Sequence, residues 1–172
     1  AIAVGGVDES GFLHIVDMIR QRMDGLEIVN TLLAVQRLRD PEVFGIEDTQ
    51  ITKSIGPFLN SEMVNQNTYP NVLLLSPMRQ DKLGRARSIQ ARMRAGGVKF
   101  DKNADWYQTL EDELLRFPRD KHDDQVDALA YLGSIVDKMN NAPTKEELAD
   151  AEYHEQFDDT ETVEGRNEHT GY

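Results

Sequence analysis

The order of the apolar segments constrains the fold of this 172-residue chain more than any other feature of its sequence. Residues 1–7 and 12–19 both have strand-like patterns, and the turn sequence DESG between them predicts a β-hairpin. Helix-like and strand-like segments alternate after the hairpin. The predicted helices cover residues 25–39, 51–64, 81–96, 106–117 and 124–139, and the predicted strands cover 42–47, 71–76 and 98–100. This order predicts an α/β fold with a mixed sheet that is flanked by helices on both faces.

Three of these segments carry more detailed predictions. The sequence NVLLLS at 71–76 predicts a buried strand. The helix at 51–64 contains Gly56-Pro57, where we expect an interruption because proline lacks the N–H that a helix interior needs. The last helix has an apolar stripe that we expect to be buried, formed by Val126, Leu129, Ala130, Gly133 and Val136.

The net charge of −12 conceals two segments of opposite sign. Residues 141–172 hold ten acidic and two basic side chains, a net charge of −8, and little apolar material. We therefore expect a domain at 1–140, followed at 141–172 by a flexible, disordered acidic tail with a short helix at most. Residues 79–102 instead carry eight basic and two acidic side chains, a net charge of +6.

Three aspartates crowd the start of the last predicted helix, within the sequence FPRDKHDDQVDALAYL. The helix macrodipole favours acidic residues at this end, and Asp120 or Asp123 could serve as the N-cap. Capping accounts for one carboxylate, whereas Asp123, Asp124 and Asp127 together repel one another. A bound divalent cation would relieve that repulsion. The adjacent His122 either helps to start the helix or contacts a water molecule or a phosphate.

A second acidic position follows the predicted strand at 42–47, in the sequence EVFGIEDTQ. Glu47 and Asp48 lie at the C-terminal end of this strand, which is the edge where open α/β sheets bind ligands. Strand ends also carry solvated acids that have no function. Together with the aspartates of the last helix, however, a carboxylate here could complete a metal site.

The basic segment is centred on the predicted helix at 81–96, and its buried face is expected to include Ala86, Ile89 and Met93. One interpretation is a solvated amphipathic helix whose arginines extend to water. The other is a surface that follows the phosphates of DNA. The residues that we expect to contact DNA in that case are Lys82, Arg85, Arg87, Arg92, Arg94 and Lys99.

Several classes of protein are excluded by what the sequence lacks. It has no phosphate-binding G-x-x-x-x-G-K-[ST] loop, no G-x-S-x-G motif and no histidine pair with zinc spacing. It has no cysteine, so disulfides and thiolate metal sites are excluded. Its apolar runs are too short to cross a membrane.

Four segments resemble the C-terminal nuclease domain of phage terminase large subunits. They are VGGVDESGFLHIVDMIRQRMDGLE, VFGIEDTQ, KLGRARSIQARMRAGGVKF and LEDELLRFPRDKHDDQVDALAYL. The FP…HDDQVDAL part is the most specific, and the resemblance covers residues 1 to about 138. The final YHEQFDDTETVEGRNEHTGY is similar to the C-terminus of the family members of short-tailed phages, the DNA maturase B proteins.

The resemblance implies an RNase H-like fold and a carboxylate cluster that binds two Mg²⁺ or Mn²⁺ ions and cuts concatemeric DNA during genome packaging. Glu47 matches the acid of an internal strand and Asp124 the acid of the helix. Asp123 and Asp127 match supporting carboxylates, and Asp127 is a further expected metal ligand. Family members carry their first catalytic aspartate on an earlier strand, which this chain lacks, and neither Asp8 nor Asp17 is a good substitute.

The resemblance also implies partners: double-stranded DNA, the portal protein of the procapsid, the small terminase subunit and the packaging ATPase domain of the same full-length protein. The expected location is the host cytoplasm, with transient binding to the portal and no membrane. Two alternatives stay open. The chain could be a non-catalytic module that docks on the portal through its acidic tail, or an RNase H-like resolvase or integrase.

Overall fold

The structure is a computed structural model that describes residues 1–77, 82–119 and 122–140, apart from the side chains of residues 51, 82 and 140. The elements of this described part are β1 (Ile2–Val7), β2 (Leu13–Ile19), α1 (Gly25–Arg39), β3 (Phe44–Glu47), α2 (Gln50–Asn65), β4 (Val72–Leu75), α3 (Lys82–Arg94), β5 (Val98–Phe100), α4 (Tyr107–Arg116) and α5 (Asp124–Asn140). Their order is the predicted one, and the predicted α/β class is confirmed.

The chain divides into two units, Ala1–Val136 and Asp137–Tyr172. The first unit contains all the strands and nearly all the helical residues of the described part. In the second unit, residues 137–140 form the end of α5. The acidic tail predicted at 141–172 lies outside the described residues.

The strands form one mixed sheet of three strands and one parallel pair. The mixed sheet has the order β1-β2-β5, in which β1 and β2 are antiparallel and β2 and β5 are parallel. β3 and β4 pair with each other in parallel. The hairpin predicted at the N-terminus is confirmed, and its ladder shifts register between Val4 and Gly5.

Side chains alternate between the two faces of the strands, and each face has its own core. On one face, Val4 of β1 and Phe44 of β3 pack with Leu32 and Val35 of α1. α2 lies behind α1, where Ile55 and Leu59 of α2 pack against Val29 and Leu33 of α1. Strands of both sheets are therefore covered by the same helix, α1.

The opposite face is covered by α3, α4 and α5. Its core consists of Leu13, Ile15 and Met18 of β2, Ile89 of α3, Leu110 of α4, and Leu129, Ala130 and Val136 of α5. All five residues of the apolar stripe predicted on α5 are buried.

Two glycines let α5 approach strands of both sheets on this face. A Cβ atom at Gly5 of β1 would lie 2.9 Å from Cδ2 of Leu132. A Cβ at Gly45 of β3 would collide with Cδ1 of Ile135. A larger residue at either position would force the side chains of α5 or the helix itself to shift, so these glycines allow the close packing of α5 on the strands.

Two detailed predictions were wrong. α2 continues through Gly56-Pro57 without interruption. The burial of Ile55 and Leu59 against α1 compensates for the hydrogen bond that Pro57 cannot donate. The strand at 71–76 is not buried throughout: Leu75 is buried, but Leu73 and Leu74 are 40% and 56% exposed. β4 has β3 as its strand neighbour in a sheet of two, so little of the described chain covers it.

Candidate functional site

The three clustered aspartates lie at the first turn of α5, as the sequence predicted. The backbone N–H of Asp127 donates to the carbonyl of Asp123 at 2.8 Å, which places Asp123 at the N-cap position of the helix. Asp124 is exposed to solvent, whereas Asp123 and Asp127 are half-buried. His122, just before the helix, is exposed.

Arg85 of α3 lies against two of these aspartates. Its Nη2 atom is 3.2 Å from Oδ2 of Asp127 and 4.0 Å from Oδ2 of Asp123. The side chains of Arg85, Asp123 and Asp127 are 24%, 16% and 30% exposed, so the group is shielded from solvent only in part. Arg85 therefore relieves the repulsion between the two carboxylates from within the protein.

Glu113 of α4 caps the start of α5. This residue was not identified from the sequence. Oε1 of Glu113 accepts the backbone N–H groups of Gln125 at 2.7 Å and of Val126 at 3.2 Å. Its Oε2 accepts the side-chain amide of Gln125 at 2.7 Å. The carboxylate that accepts these two N–H groups thus comes from another helix. Asp120, the other predicted cap, lies outside the described residues.

A signal for Glu113 was present in the sequence. It stands three residues after Leu110 in α4, so it falls on the apolar face of that helix. A charged residue at such a position must find a partner in the interior.

Glu47 is half-buried at the C-terminal end of β3. Phe44 and Ile46 pack toward α1, so Gly45 and Glu47 are on the strand face that α5 covers. The Glu47 carbonyl accepts the backbone N–H of Thr49 at 2.9 Å, at the start of α2. The neighbouring Asp48 pairs with Lys53, with 3.5 Å between Oδ1 and Nζ.

The residues predicted to contact DNA fall into three groups. Arg87 and Arg94 are exposed on α3. Arg85 faces the aspartates, Arg92 donates to the carbonyl of Gly11 at 3.3 Å, and Lys99 lies 4.4 Å above the ring of Phe12. The side chain of Lys82 lies outside what the structure describes.

Asp8 belongs to the turn between β1 and β2, as the sequence indicated. Its Oδ1 accepts the backbone N–H groups of Ser10 and Phe12, and its Oδ2 lies 2.7 Å from Nε2 of His14. The hydrogen bond to His14, together with those from the turn, lowers the pKa of Asp8 below its ordinary value. The carboxylate is thus engaged by its own hairpin.

The residues at the start of α5 fit a divalent metal in chemistry but only partly in geometry. Carboxylate oxygens are the ligands that Mg²⁺ and Mn²⁺ prefer. Across residues 1–77, 82–119 and 122–140, however, no group of three or more histidine, cysteine, aspartate or glutamate side chains is arranged to hold a metal ion. The pair that does come together, Asp123 and Asp127, has the guanidinium of Arg85 beside it.

No protein-family model, curated protein or solved structure matches the chain. Within the described ranges, no helix is long and apolar enough to cross a membrane. The described residues form an α/β protein in which the acidic start of α5 is contacted by Arg85 of α3 and by Glu113 of α4.

Proposed function

We propose that the chain is the nuclease domain of a viral DNA-packaging terminase, which cuts concatemeric double-stranded DNA as the genome enters the procapsid. The observation that supports it best is the first turn of α5. Asp124 is exposed there, while its neighbours Asp123 and Asp127 are paired with Arg85 and the helix backbone is capped by Glu113.

An RNase H-like arrangement forms part of this proposal. It requires one continuous sheet with a strand between β1 and β3. In support, β1 and β3 share α1 on one face and α5 on the other. A strand inserted between them would join the three-stranded sheet to the parallel pair, and its end would bring a further acidic residue toward the helix.

The metal ligands proposed are Glu47 and Asp124, with Asp127 as a third and Asp123 as support for a two-ion site. When bound there, two Mg²⁺ or Mn²⁺ ions would supply an activated water and would stabilise the leaving oxygen of the phosphodiester. Glu47 is a candidate because it is on the face of β3 that α5 covers. Asp124 is a candidate because it is the exposed carboxylate of the turn.

The exposed basic residues of α3 suit the substrate. Arg87 and Arg94 are seven residues apart, about 10 Å along the helix axis, and they would bind the phosphate backbone without reading its sequence. The portal protein, the small terminase subunit and a packaging ATPase domain are proposed partners in the host cytoplasm. The acidic tail is the proposed contact to the portal.

The test is the Asp124→Ala variant in a protein extended upstream of Ala1 by the proposed central strand. We expect its Mn²⁺-dependent nicking of a supercoiled plasmid to fall at least about a hundredfold, as for the loss of a catalytic group. Asp105→Ala, at an exposed loop position, is the control and should nick like the parent. Undiminished nicking by Asp124→Ala would exclude Asp124 from the site.

A further inference from the structure

Glu113 is a buried carboxylate whose hydrogen bonds are made mainly to the start of α5. It is 5% exposed, and burial of a charged group is costly unless the charge is well solvated by hydrogen bonds. The structure supplies three such bonds, from the backbone of Gln125, the backbone of Val126 and the side chain of Gln125. Nε of Arg20, just after β2, lies 3.7 Å from Oε2. Glu113 of α4 thus contacts both the start of α5 and Arg20, which follows β2.

The position of these bonds in the helix matters for the proposed site. Gln125 and Val126 lie between Asp124 and Asp127, in the turn whose N–H groups lack partners within the helix. Such a turn frays when nothing caps it. Glu113 satisfies two of its donors and places a negative charge where the macrodipole favours one. The first turn is thereby held by a carboxylate from α4.

The aspartates at this turn differ in their surroundings. The carboxylate of Asp123 approaches Arg85, and that of Asp124 is exposed.

We infer that Glu113 is a positioning residue, which holds the first turn of α5 so that Asp124 and Asp127 present their carboxylates in a fixed arrangement. This inference rests on the proposed function. In this role Glu113 acts through Gln125 and Val126 rather than as a metal ligand itself.

The test compares Glu113→Gln with two matched variants. Glu113→Gln keeps the size of the side chain but removes its charge and replaces one of its two acceptor oxygens with an N–H₂ group. Glu113→Gln/Gln125→Glu exchanges the pair and restores one acceptor opposite one donor. Glu111→Gln removes the same charge from the same helix, where Glu111 accepts a hydrogen bond from the hydroxyl of Tyr107 instead.

Two quantities are measured on the protein extended upstream of Ala1 by the proposed central strand: the dissociation constant for Mn²⁺ by electron paramagnetic resonance, and the hydrogen-exchange rates of the amides at 125–127. Glu113→Gln should weaken Mn²⁺ binding about tenfold, equivalent to 1.4 kcal/mol, and speed exchange at all three amides. The double variant Glu113→Gln/Gln125→Glu should return both the Mn²⁺ affinity and the exchange rates most of the way to the values of the parent. Glu111→Gln should stay within about twofold of the parent, as expected for a site remote from the change.

The outcomes separate the inference from the proposed function. Asp124→Asn is included as a variant that removes a proposed ligand. If it abolishes Mn²⁺ binding while Glu113→Gln leaves binding unchanged, Glu113 is a structural cap only and the inference fails. If Asp124→Asn binds Mn²⁺ like the parent, or if no variant binds the ion, the proposed metal site fails and the inference fails with it.

Discussion

The first turn of α5 is held from two sides by different kinds of contact. On the inner side, the buried carboxylate of Glu113 accepts short hydrogen bonds of good geometry from the helix start. On the outer side, Arg85 faces Asp123 and Asp127 at 4.0 and 3.2 Å in a group that is partly exposed. The hydrogen bonds of Glu113 depend on the direction in which the N–H groups point. The contacts of Arg85 depend mainly on charge. The inner side therefore fixes the geometry of the turn, whereas the outer side balances charge where ions and solvent can still reach it.

The largest effect is expected on the inner side, from Glu113→Ala. The variant leaves two backbone donors without their acceptor in the interior, while the amide of Gln125 loses Glu113 and keeps the carbonyl of Thr109 at 3.4 Å. We expect the free energy of unfolding to fall by about 3 kcal/mol. Urea denaturation at neutral pH measures it, and the loss should be the same at low salt and at about 1 M salt because the contacts are shielded from ions.

Glu111→Ala is the matched control for that measurement. It removes a glutamate from the same helix at a half-buried position and should cost less than about 1 kcal/mol. Equal losses for the two variants would show that Glu113 has no special part in holding α5.

A smaller effect is expected on the outer side, from Arg85→Gln. The variant removes the cation beside Asp123 and Asp127, and their mutual repulsion should lower the free energy of unfolding by about 1 kcal/mol at low salt. The loss should largely vanish at about 1 M salt, where the Debye length is about 3 Å. Arg87→Gln, an exposed change on the same helix, should leave stability unaltered. A loss from Arg85→Gln that did not respond to salt would contradict the contrast between the two sides.

The sequence predicted what depends on local pattern. The apolar stripe of α5 and the hairpin at the N-terminus follow from periods of 3.6 and 2 residues and from turn chemistry, which are readable one segment at a time. The crowding of Asp123, Asp124 and Asp127 at one helix start was predicted correctly for the same reason.

What the sequence could not predict depends on contacts between distant segments. Asp123 lies at the predicted N-cap position, but the carboxylate that accepts the N–H of Gln125 is that of Glu113, twelve residues earlier. The orientation of Arg85 toward the aspartates depends on how α3 packs beside α5, which no periodicity reveals. In the same way, the exposure of Leu73 and Leu74 depends on which strands lie beside β4.

The smallest effect is expected on DNA binding, where the two faces of α3 can be compared directly. Arg87→Gln, Arg94→Gln and Arg85→Gln each remove one positive charge, so their long-range effects on DNA are matched. If the exposed residues contact phosphates, Arg87→Gln and Arg94→Gln should each weaken binding to a short duplex roughly threefold and reduce the salt slope of the binding constant by about 1. Arg85→Gln should change the slope by much less because its guanidinium faces Asp123 and Asp127. Fluorescence anisotropy over a series of salt concentrations measures all three. Equal slopes for the three variants would mean that α3 does not divide into a face that braces α5 and a face that binds DNA.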